Sequence, residues 1–250
     1  MSAPASTGRE LMIAAIADLL EGARMIAVGA SSPMPAAGAM LWRARAAARG
    51  LPQVRLSILG SRAHNIFTNG AFELFDCAAQ GRLDAFFLGG GEIDGAANVN
   101  LVGLGDYPQM RVRWPGSFGS AFLYYVVPKV ILFREEHSPR VLVDKVSFVS
   151  APGSSEGIER PGGPHALLTS KALFGFDRQR RRFSLRSVHG GASGAEIRAL
   201  TGFDYDAIDD PPPTRGPDTE TLALLRGRVT AELAETYPQF AGSLAAERGN

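Results

Sequence analysis

The sequence has little cysteine, little net charge and no long apolar run. A single cysteine, Cys77, excludes an internal disulfide and the sulfur-rich zinc sites that need at least two thiolates. The net charge of +1 is far from the basic balance of a general nucleic-acid binder. The longest apolar candidate, residues 122–133, is interrupted by Pro128 and is shorter than the ~20 residues of a membrane helix. We therefore expect a soluble, cytoplasmic protein that binds neither nucleic acid nor membrane.

Several common motifs are missing as well. The chain lacks the dinucleotide fingerprint G-x-G-x-x-G, the phosphate loop G-x-x-x-x-G-K-[ST] and the G-x-S-x-G nucleophile elbow. The four histidines are scattered, and no pair has the spacing of metal ligands. The sequence thus predicts no metal site, and it favours structural roles for the histidines.

Glycine and proline are abundant instead. The 250 residues include 29 glycines and 16 prolines, well above the average usage of about 12 per cent for the two together. The glycines are clustered rather than periodic, which argues against a collagen-like chain or a linker. Such clusters indicate sharp turns or backbone that approaches another group closely.

The hydrophobic pattern predicts one α/β domain over residues 1–250. Thr7 and Glu10 have the spacing of a capping box at the start of a helix. Apolar strands then alternate with helices at the spacing of a parallel sheet. The predicted strands are 25–28, 54–59, 84–88, 121–127, 130–134, 141–149, 167–169, 173–176 and 183–188, and the later helices are 36–49, 72–80, 194–200 and about 219–237.

Gly89, Gly90, Gly91 and Glu92 directly follow a predicted buried strand. In an open α/β sheet, ligands bind at the carboxyl ends of the strands. Backbone amides freed by glycine can hold an oxyanion there. A tight turn that binds no ligand is the alternative, and the pattern alone does not separate the two.

A second loop of small residues, 116–119, follows Arg113 in sequence. An arginine beside exposed amides suits an anionic ligand, and a turn with solvated charges is the alternative.

The basic run 178–182 (RQRRR) lies between two predicted strands. Such a run is typical of a solvated hairpin tip, with contact to a phosphate-bearing ligand as the less frequent possibility.

An ordered set of motifs resembles one family. Residues 87–94 (FLGGGEID), 95–100 (GAANVN) and 105–107 (GDY) are similar to the β subunit of class I CoA-transferases, in particular the glutaconate CoA-transferase branch. The loop 116–119 resembles the family's G-x-G-G loop. The segments 144–149, 162–163, 167–171 and 201–206 follow in the family's order. The resemblance extends from about residue 11 to the C-terminal helix.

This resemblance implies the class I CoA-transferase fold, an open, mostly parallel α/β sheet with flanking helices. It also implies a homologous α subunit, in a heterodimer or α2β2 assembly, with the active site between the subunits. Coenzyme A would enter as part of the acyl-CoA substrate, and no permanently bound cofactor is expected. The residues expected at the substrate and CoA site are Ser31, Leu59, Gly60, Gly89, Gly90, Gly91, Asn98, Arg113, Gly116, Ser117, Phe118 and Gly119, with Glu92 as this chain's candidate catalytic group.

The chain departs from the family at its nucleophile. Transferases of the family carry a glutamate after the second strand, whereas here that position falls on Leu59 or a neighbouring residue, and no acidic residue lies between Glu21 and Glu73. A leucine cannot form the acyl-glutamyl anhydride. The same absence marks the hydrolases that open the last steroid ring, in which the base is a glutamate of the α subunit. Water-dependent ring opening of a CoA ester is therefore the expected reaction.

Two alternatives remain. The chain could be a conventional CoA-transferase subunit whose nucleophile lies elsewhere, with Glu73 or Glu92 as candidates. It could also be a metabolite-sensing domain, since sugar-phosphate sensors of transcription regulators use a related fold. The absence of a helix-turn-helix pattern disfavours the sensor.

Overall fold

The computed structural model describes residues 6–248. A single seven-stranded sheet forms its centre, in the order β11-β10-β9-β8-β3-β1-β2. Strands β2, β1, β3, β8 and β9 run parallel, and β10 and β11 complete the sheet as an antiparallel hairpin. The predicted α/β architecture, with a mostly parallel sheet and flanking helices, is confirmed.

The helices and strands follow in this order: α1 (Gly8–Leu19), β1 (Met25–Val28), α2 (Pro33–Ala48), β2 (Arg55–Ile58), α3 (Gly70–Ala79), β3 (Ala85–Leu88), β4 (Glu92–Ile93), β5 (Val99–Asn100), β6 (Gly103–Leu104), β7 (Val112–Arg113), α4 (Ser120–Val126), β8 (Lys129–Phe133), β9 (Pro164–Leu168), β10 (Ala172–Asp177), β11 (Arg182–Val188), α5 (Gly194–Leu200), α6 (Thr219–Leu224), a π-helical segment (Leu225–Val229), α7 (Thr230–Thr236) and α8 (Pro238–Ala246).

The central strands are apolar along their whole length because both faces of the sheet are covered. Every residue of β1 (MIAV) and β3 (AFFL) is buried. This continuous apolar pattern is typical of a parallel sheet between two helix layers. One hydrophobic cluster joins the sheet to α1, α2 and the C-terminal helices, and a second joins it to α3, α4 and the loops above them. The sheet thus divides the core into two halves.

Helices α1 and α2 pack closely on the first face. The Thr7 side chain caps α1, and Glu10 completes the capping box that the sequence predicts. Gly38 lies where α2 crosses α1, and a Cβ atom there would come within 2.2 Å of Ile16 Cγ2. Only glycine fits at this crossing, because any side chain would push the two helices apart.

Two predicted strands are wrong. Residues 121–127 form most of α4 instead, with Leu123 and Tyr124 buried. Strands β3 and β8 are parallel neighbours, so the chain between them must return to the other end of the sheet, and α4 makes part of that crossover. Residues 141–149 form a loop that pairs with β4 only through an isolated bridge between Ile93 and Leu142. Tertiary context overrides the β-branched and aromatic composition at both places.

A buried carboxylate joins the start of α1 to the C-terminal helices. Glu10 is fully buried and accepts two hydrogen bonds from the Arg226 guanidinium, at 2.8 Å each. Arg248 Nε donates to the same carboxylate at 2.9 Å. Burial opposes ionisation, yet the hydrogen bonds and charges of the arginines leave the pKa of Glu10 below its usual value. The helical region 219–236 coincides closely with the predicted 219–237 and is followed by α8.

Candidate functional site

The turns that follow β1, β2, β3 and β8 meet at the carboxyl edge of the sheet, because these strands are parallel. A cavity of about 500 Å³ opens there between the sheet and the first turns of α1 and α2. Ser31 and Gly89 line this carboxyl-edge cavity, and their contact with substrate stays a prediction. Its other lining residues include Arg9, Arg134, Glu135 and Glu136.

The end of β2 presents an apolar side chain. Leu59 continues the parallel ladder, donating its amide to Val28 O at 2.9 Å, and its half-buried side chain packs against the α3–α4 cluster. Gly60 turns the chain with φ +88°, a conformation that favours glycine. A Cβ atom at Gly60 would lie 3.5 Å from Ala30 Cβ, so the turns after β1 and β2 are neighbours.

Glu235 of α7 holds the turn after β2 from the first face of the sheet. Its carboxylate accepts the Ser61 hydroxyl at 2.8 Å and the backbone amides of Arg62 and Ala63. Hydrogen bonds from Thr236 and Ser61 lower the pKa of Glu235 to about 2. The sequence does not connect these segments, so Glu235 is a polar group of the edge that the sequence analysis missed.

The glycines after β3 are required for close packing. A Cβ atom at Gly89 would lie 2.9 Å from Phe133 O, and one at Gly90 would lie 2.4 Å from Val99 Cγ1. A Cβ atom at Gly91 would overlap the Trp114 ring, at 1.9 Å. The Gly91 amide is already used in a hydrogen bond to Asn100 O at 2.9 Å. Close packing accounts for this glycine cluster, and Gly91 has no amide proton free for an oxyanion.

Glu92 lies in a hydrogen-bonded junction beneath the edge. The side chain is 6% exposed. Its carboxylate accepts Asn100 Nδ2 at 2.7 Å, the Ser147 amide at 2.8 Å and the Ser147 hydroxyl at 2.9 Å. These contacts tie β4 to β5 and to the loop after residue 141. Its catalytic role stays a prediction, while its contacts are those of a group that positions loops.

Asn98 belongs to the same junction. Asp94 accepts the Asn98 amide at 3.0 Å and its side-chain amide at 3.1 Å. Asn98 Oδ1 in turn accepts the Gly153 amide at 3.1 Å. The asparagine therefore joins two loops, and its expected contact with substrate stays a prediction.

The loop 116–119 has the most available backbone amides of the expected site. Among the residues that the structure describes, none of the amides of Gly116, Ser117, Phe118 and Gly119 donates a hydrogen bond to the chain. Gly116 has φ +101° and Phe118 has φ +31°, so the loop is sharply turned. Trp114, which packs on Gly91, anchors this loop near the end of β3. The arrangement offers donors to an oxyanion.

Exposed aromatic rings surround that loop. Phe118 is 87% exposed, and its ring centroid lies 5.7 Å from that of Phe75 on α3. Phe122 on α4 contacts the same Phe75 ring and is 40% exposed. A Cβ atom at Gly119 would overlap the Phe75 ring, so α3 and the loop are in direct contact. An exposed apolar group of this kind is typical of a surface that another molecule covers.

Arg113 lies on β7 and is exposed, with its guanidinium 6.0 Å from the Tyr107 ring centroid. No carboxylate of the described residues forms an ion pair with it. Its place in a substrate site stays a prediction.

In the described part of the chain, no group of three His, Cys, Asp or Glu side chains is arranged to hold a metal ion. None of the described helices is both long and apolar enough to cross a bilayer.

The sequence analysis missed the charged residues after β8. Glu135 accepts Arg9 Nε at 3.1 Å, and Glu136 accepts the Ser138 hydroxyl at 2.6 Å and is paired with Arg140. The hydrogen bonds from Ser138 and Arg140 lower the pKa of Glu136, so the carboxylate stays ionised. The signal was present, because a charged run directly after a buried strand of a parallel sheet must lie at its carboxyl edge.

Two buried histidines pack beside this edge. His137 shares hydrogen bonds with the hydroxyls of Thr169, at 2.7 Å, and Thr201, at 3.1 Å. His189 shares one with Thr214, at 2.7 Å. Burial lowers the pKa of both imidazoles to about 4. They are therefore neutral near pH 7 and have structural contacts.

Comparison with curated proteins finds relatives of two reaction classes, CoA transfer and ring-cleaving hydrolysis. The B subunit of glutaconate CoA-transferase from Acidaminococcus fermentans is 28% identical over 151 residues, 57% of this chain and 56% of that protein. The B subunit of 3-oxoadipate CoA-transferase from Pseudomonas knackmussii is 28% identical over 169 residues, 65% of this chain and 64% of its own. The cholesterol ring-cleaving hydrolase IpdB subunit of Rhodococcus jostii is 27% identical over 159 residues, 62% of each. The matches thus span less than two thirds of each relative. No family model matches the chain.

Solved structures share the fold. Rhodococcus jostii IpdAB superposes with a TM-score of 0.76 at 24% identity, over 89% of this chain and 94% of that one. Glutaconate coenzyme A-transferase of Acidaminococcus fermentans superposes with a TM-score of 0.75 at 22% identity, over 90% and 95%. The predicted class I CoA-transferase fold is confirmed. Together with the relatives in sequence, these structures show that the chain is a homologue of the B subunits of class I CoA-transferases and of the IpdB hydrolase subunit.

Proposed function

We propose that this chain is the β-like subunit of a heteromeric enzyme that acts on acyl-CoA thioesters. Residues 1–250 would act as one domain in the cytoplasm and bind a homologous α subunit. The two-chain names of its structural neighbours, IpdAB and AibA/AibB, support a partner. The exposed Phe118 and Phe122 rings around the loop 116–119 support it as well, since a partner would cover them. Coenzyme A would be part of the substrate.

The observation that carries the choice of reaction is Leu59 at the carboxyl end of β2. A half-buried leucine there has no carboxylate to attack a thioester. Glu92, an alternative nucleophile suggested by the sequence, is buried and accepts three hydrogen bonds. These contacts favour hydrolysis over covalent CoA transfer, and the IpdB relative supports the same class.

The reaction we propose is water-dependent opening of a ring ketone in a CoA ester. A carboxylate, expected from the α subunit, removes a proton from water as the oxygen adds to the ketone carbon. The amides of residues 116–119 stabilise the resulting oxyanion. The adjacent carbon–carbon bond then breaks, leaving a carboxylic acid on one carbon, and the other carbon takes the proton.

The test is coexpression of this chain with a homologous α subunit, followed by turnover of CoA esters that carry a cyclic ketone. In water enriched in ¹⁸O, we expect one ¹⁸O atom in the new carboxylate and no covalent mass on this chain. Treatment with hydroxylamine or borohydride, followed by mass spectrometry, tests whether a covalent adduct forms on this chain. A CoA-dependent adduct on this chain would overturn the hydrolytic assignment.

A gain-of-function variant sharpens the test. Leu59→Glu places a carboxylate at the end of β2, and Leu59→Gln is the matched control of similar size without a nucleophile. We expect a hydroxylamine-sensitive adduct in the complex that contains Leu59→Glu and none with Leu59→Gln. The same adduct in the unaltered chain would instead favour transfer.

CoA transfer between carboxylic acids is the second candidate, favoured by the two CoA-transferase relatives. Glu73 is its candidate nucleophile at the start of α3. Hydrogen bonds from Thr68 lower the pKa of Glu73, so the carboxylate is ionised. Glu73→Gln should abolish turnover and adduct formation if transfer through Glu73 is the reaction, and should leave hydrolysis unchanged otherwise.

A further inference from the structure

A second cavity, of about 380 Å³, lies at the opposite edge of the sheet from the carboxyl-edge cavity. It opens where β9 begins and where the β10–β11 hairpin turns, which is the amino edge of the parallel strands. Residues of this amino-edge cavity include Gly153, Ser154, Ser155, Arg160, Arg178 and Arg181. The Gly153 amide donates to Asn98 Oδ1, but the candidate site uses none of the serines or arginines of this cavity.

Arg160 is an unusual buried charge. It is 8% exposed, and its guanidinium donates to Pro152 O at 2.6 Å and Tyr124 O at 2.8 Å. Among the described residues no carboxylate forms an ion pair with it. Burial lowers the pKa of Arg160, and the nearby positive charge of Arg178 lowers it further. Buried arginines are normally paired with an anion, because an uncompensated charge is costly to remove from water.

The arginines of the basic run 178–182 fall into two groups. Arg180 and Arg182 both form ion pairs with Asp206, at 2.5 Å and 2.7 Å. Arg178 and Arg181 line the cavity instead, and neither forms an ion pair within the described part of the chain. Arg178 donates to Arg160 O and Gly162 O through one nitrogen, so it is held against the cavity wall.

We propose that the amino-edge cavity binds a phosphate group. Three arginines, Arg160, Arg178 and Arg181, line it, and arginine is the side chain best suited to bidentate contact with phosphate oxygens. Ser154 and Ser155 also line the cavity, and a serine hydroxyl can donate to a phosphate oxygen. Glu159, exposed at the cavity, is the single carboxylate among its lining residues, so positive charge is in excess.

The phosphate could come from two sources that share this chemistry. One is a free phosphorylated metabolite, and the other is a phosphate of the coenzyme A portion of the substrate. The proposal concerns binding alone and does not depend on turnover. Its failure would therefore leave the proposed function unaffected.

The test is calorimetric titration of the full chain with inorganic phosphate in a low-salt buffer. Arg181→Gln removes an exposed cavity arginine, and Arg180→Gln removes an exposed arginine of the same hairpin that is paired with Asp206. We expect Arg181→Gln to weaken phosphate binding at least about five-fold, the usual effect of losing one hydrogen bond. Arg180→Gln should stay within two-fold of the unaltered chain.

Arg178→Lys is a second variant, because it keeps the charge and the fold while removing the planar fork. It should also weaken binding. Undetectable phosphate binding by the unaltered chain, or equal weakening by Arg180→Gln and Arg181→Gln, would overturn the proposal. Repeating the titration with coenzyme A and 3′-dephospho-coenzyme A as competitors identifies the source. Displacement of phosphate by coenzyme A alone indicates its 3′-phosphate, and no displacement by either indicates a separate phosphorylated ligand.

Discussion

The two edges of the central sheet differ in how their charged side chains are paired. At the carboxyl edge, Arg9 pairs with Glu135 and Glu247, and the buried Glu10 pairs with Arg226 of the π-helical segment and with Arg248 after α8. At the amino edge, Arg160 and Arg178 lie side by side without an acidic partner among the described residues. Both edges therefore concentrate arginine, but at the amino edge the pairing is incomplete: Asp206 neutralises Arg180 and Arg182, while Arg160 and Arg178 have no acidic partner among the described residues.

The difference separates structural charge from charge available to a ligand. The ion pairs at the carboxyl edge connect α1, α8 and the segment after β8, so they hold the walls of the candidate site in place. At the amino edge, Arg160 and Arg178 donate to backbone carbonyls and keep their charge. Charge that the fold itself neutralises contributes to stability, whereas charge that it leaves in excess favours an anionic ligand.

The largest expected effect concerns the buried ion pair at the carboxyl edge. Glu10→Ala leaves two arginines without their common carboxylate, and removing one partner of a buried pair costs about 3–5 kcal/mol. The free energy of unfolding in urea measures this loss. Glu247→Ala is the control, since it removes a more exposed partner of Arg9 and should cost less than about 1 kcal/mol. Equal effects of the two variants would contradict the assignment of structural charge to Glu10.

The next effect is a pH dependence of stability from the buried histidines. The folded chain holds the pKa of His137 and His189 at about 4, below the ordinary value of 6.5. The unfolded chain therefore binds protons first as the pH falls, so stability present above pH 6.5 is lost between pH 6.5 and about 4. The titration of each histidine should lower the free energy of unfolding by about 2 kcal/mol between pH 7 and pH 5.

Denaturant unfolding across that pH range provides the measurement. His189→Gln should reduce the slope of stability against pH by about half, because one of the two titrating groups is removed. A slope that is unchanged in His189→Gln would show that other groups control the acid response. A slope of zero in the unaltered chain would contradict the burial of both rings.

The smallest expected effect tests Glu92. Glutamine has the same shape and can accept the hydrogen bond from Asn100 Nδ2 while donating to the Ser147 hydroxyl. We expect Glu92→Gln to change the free energy of unfolding by about 1 kcal/mol or less and to leave kcat of the complex nearly unchanged. A loss of a hundred-fold or more in kcat with unchanged stability would instead make Glu92 a general acid or base.

Much of the fold could be predicted because its core strands are short, apolar and bounded by turns. The segments 25–28 and 84–88 read as buried strands and are β1 and β3. The segment 121–127 could not be read correctly from composition, because aromatic and β-branched residues also fit a short helix packed between a sheet and α3. These residues form a helix because they belong to the crossover between two parallel strands. That requirement comes from the sheet topology and not from the segment itself.

The candidate site was only partly predictable. The sequence placed Ser31 and Gly89 at one edge because both follow parallel strands. It could not show that Gly91 packs on Trp114. It also could not show that Glu92 and Asn98 form hydrogen bonds to the chain after residue 141. It also missed Glu135, Glu136 and Glu235, whose importance depends on which segments meet at the edge.

By itself, the sequence determined the α/β architecture, the resemblance to the B subunits of CoA-transferases and the leucine that directly follows β2. These depend on local composition and on the order of motifs, both of which are visible along the sequence without a structure. Only the tertiary structure decided which charges are neutralised and which are left in excess. Asp206 lies 24 residues or more from the arginines it pairs with, and Glu10 lies more than 200 residues from Arg226 and Arg248, so folding alone brings these groups together.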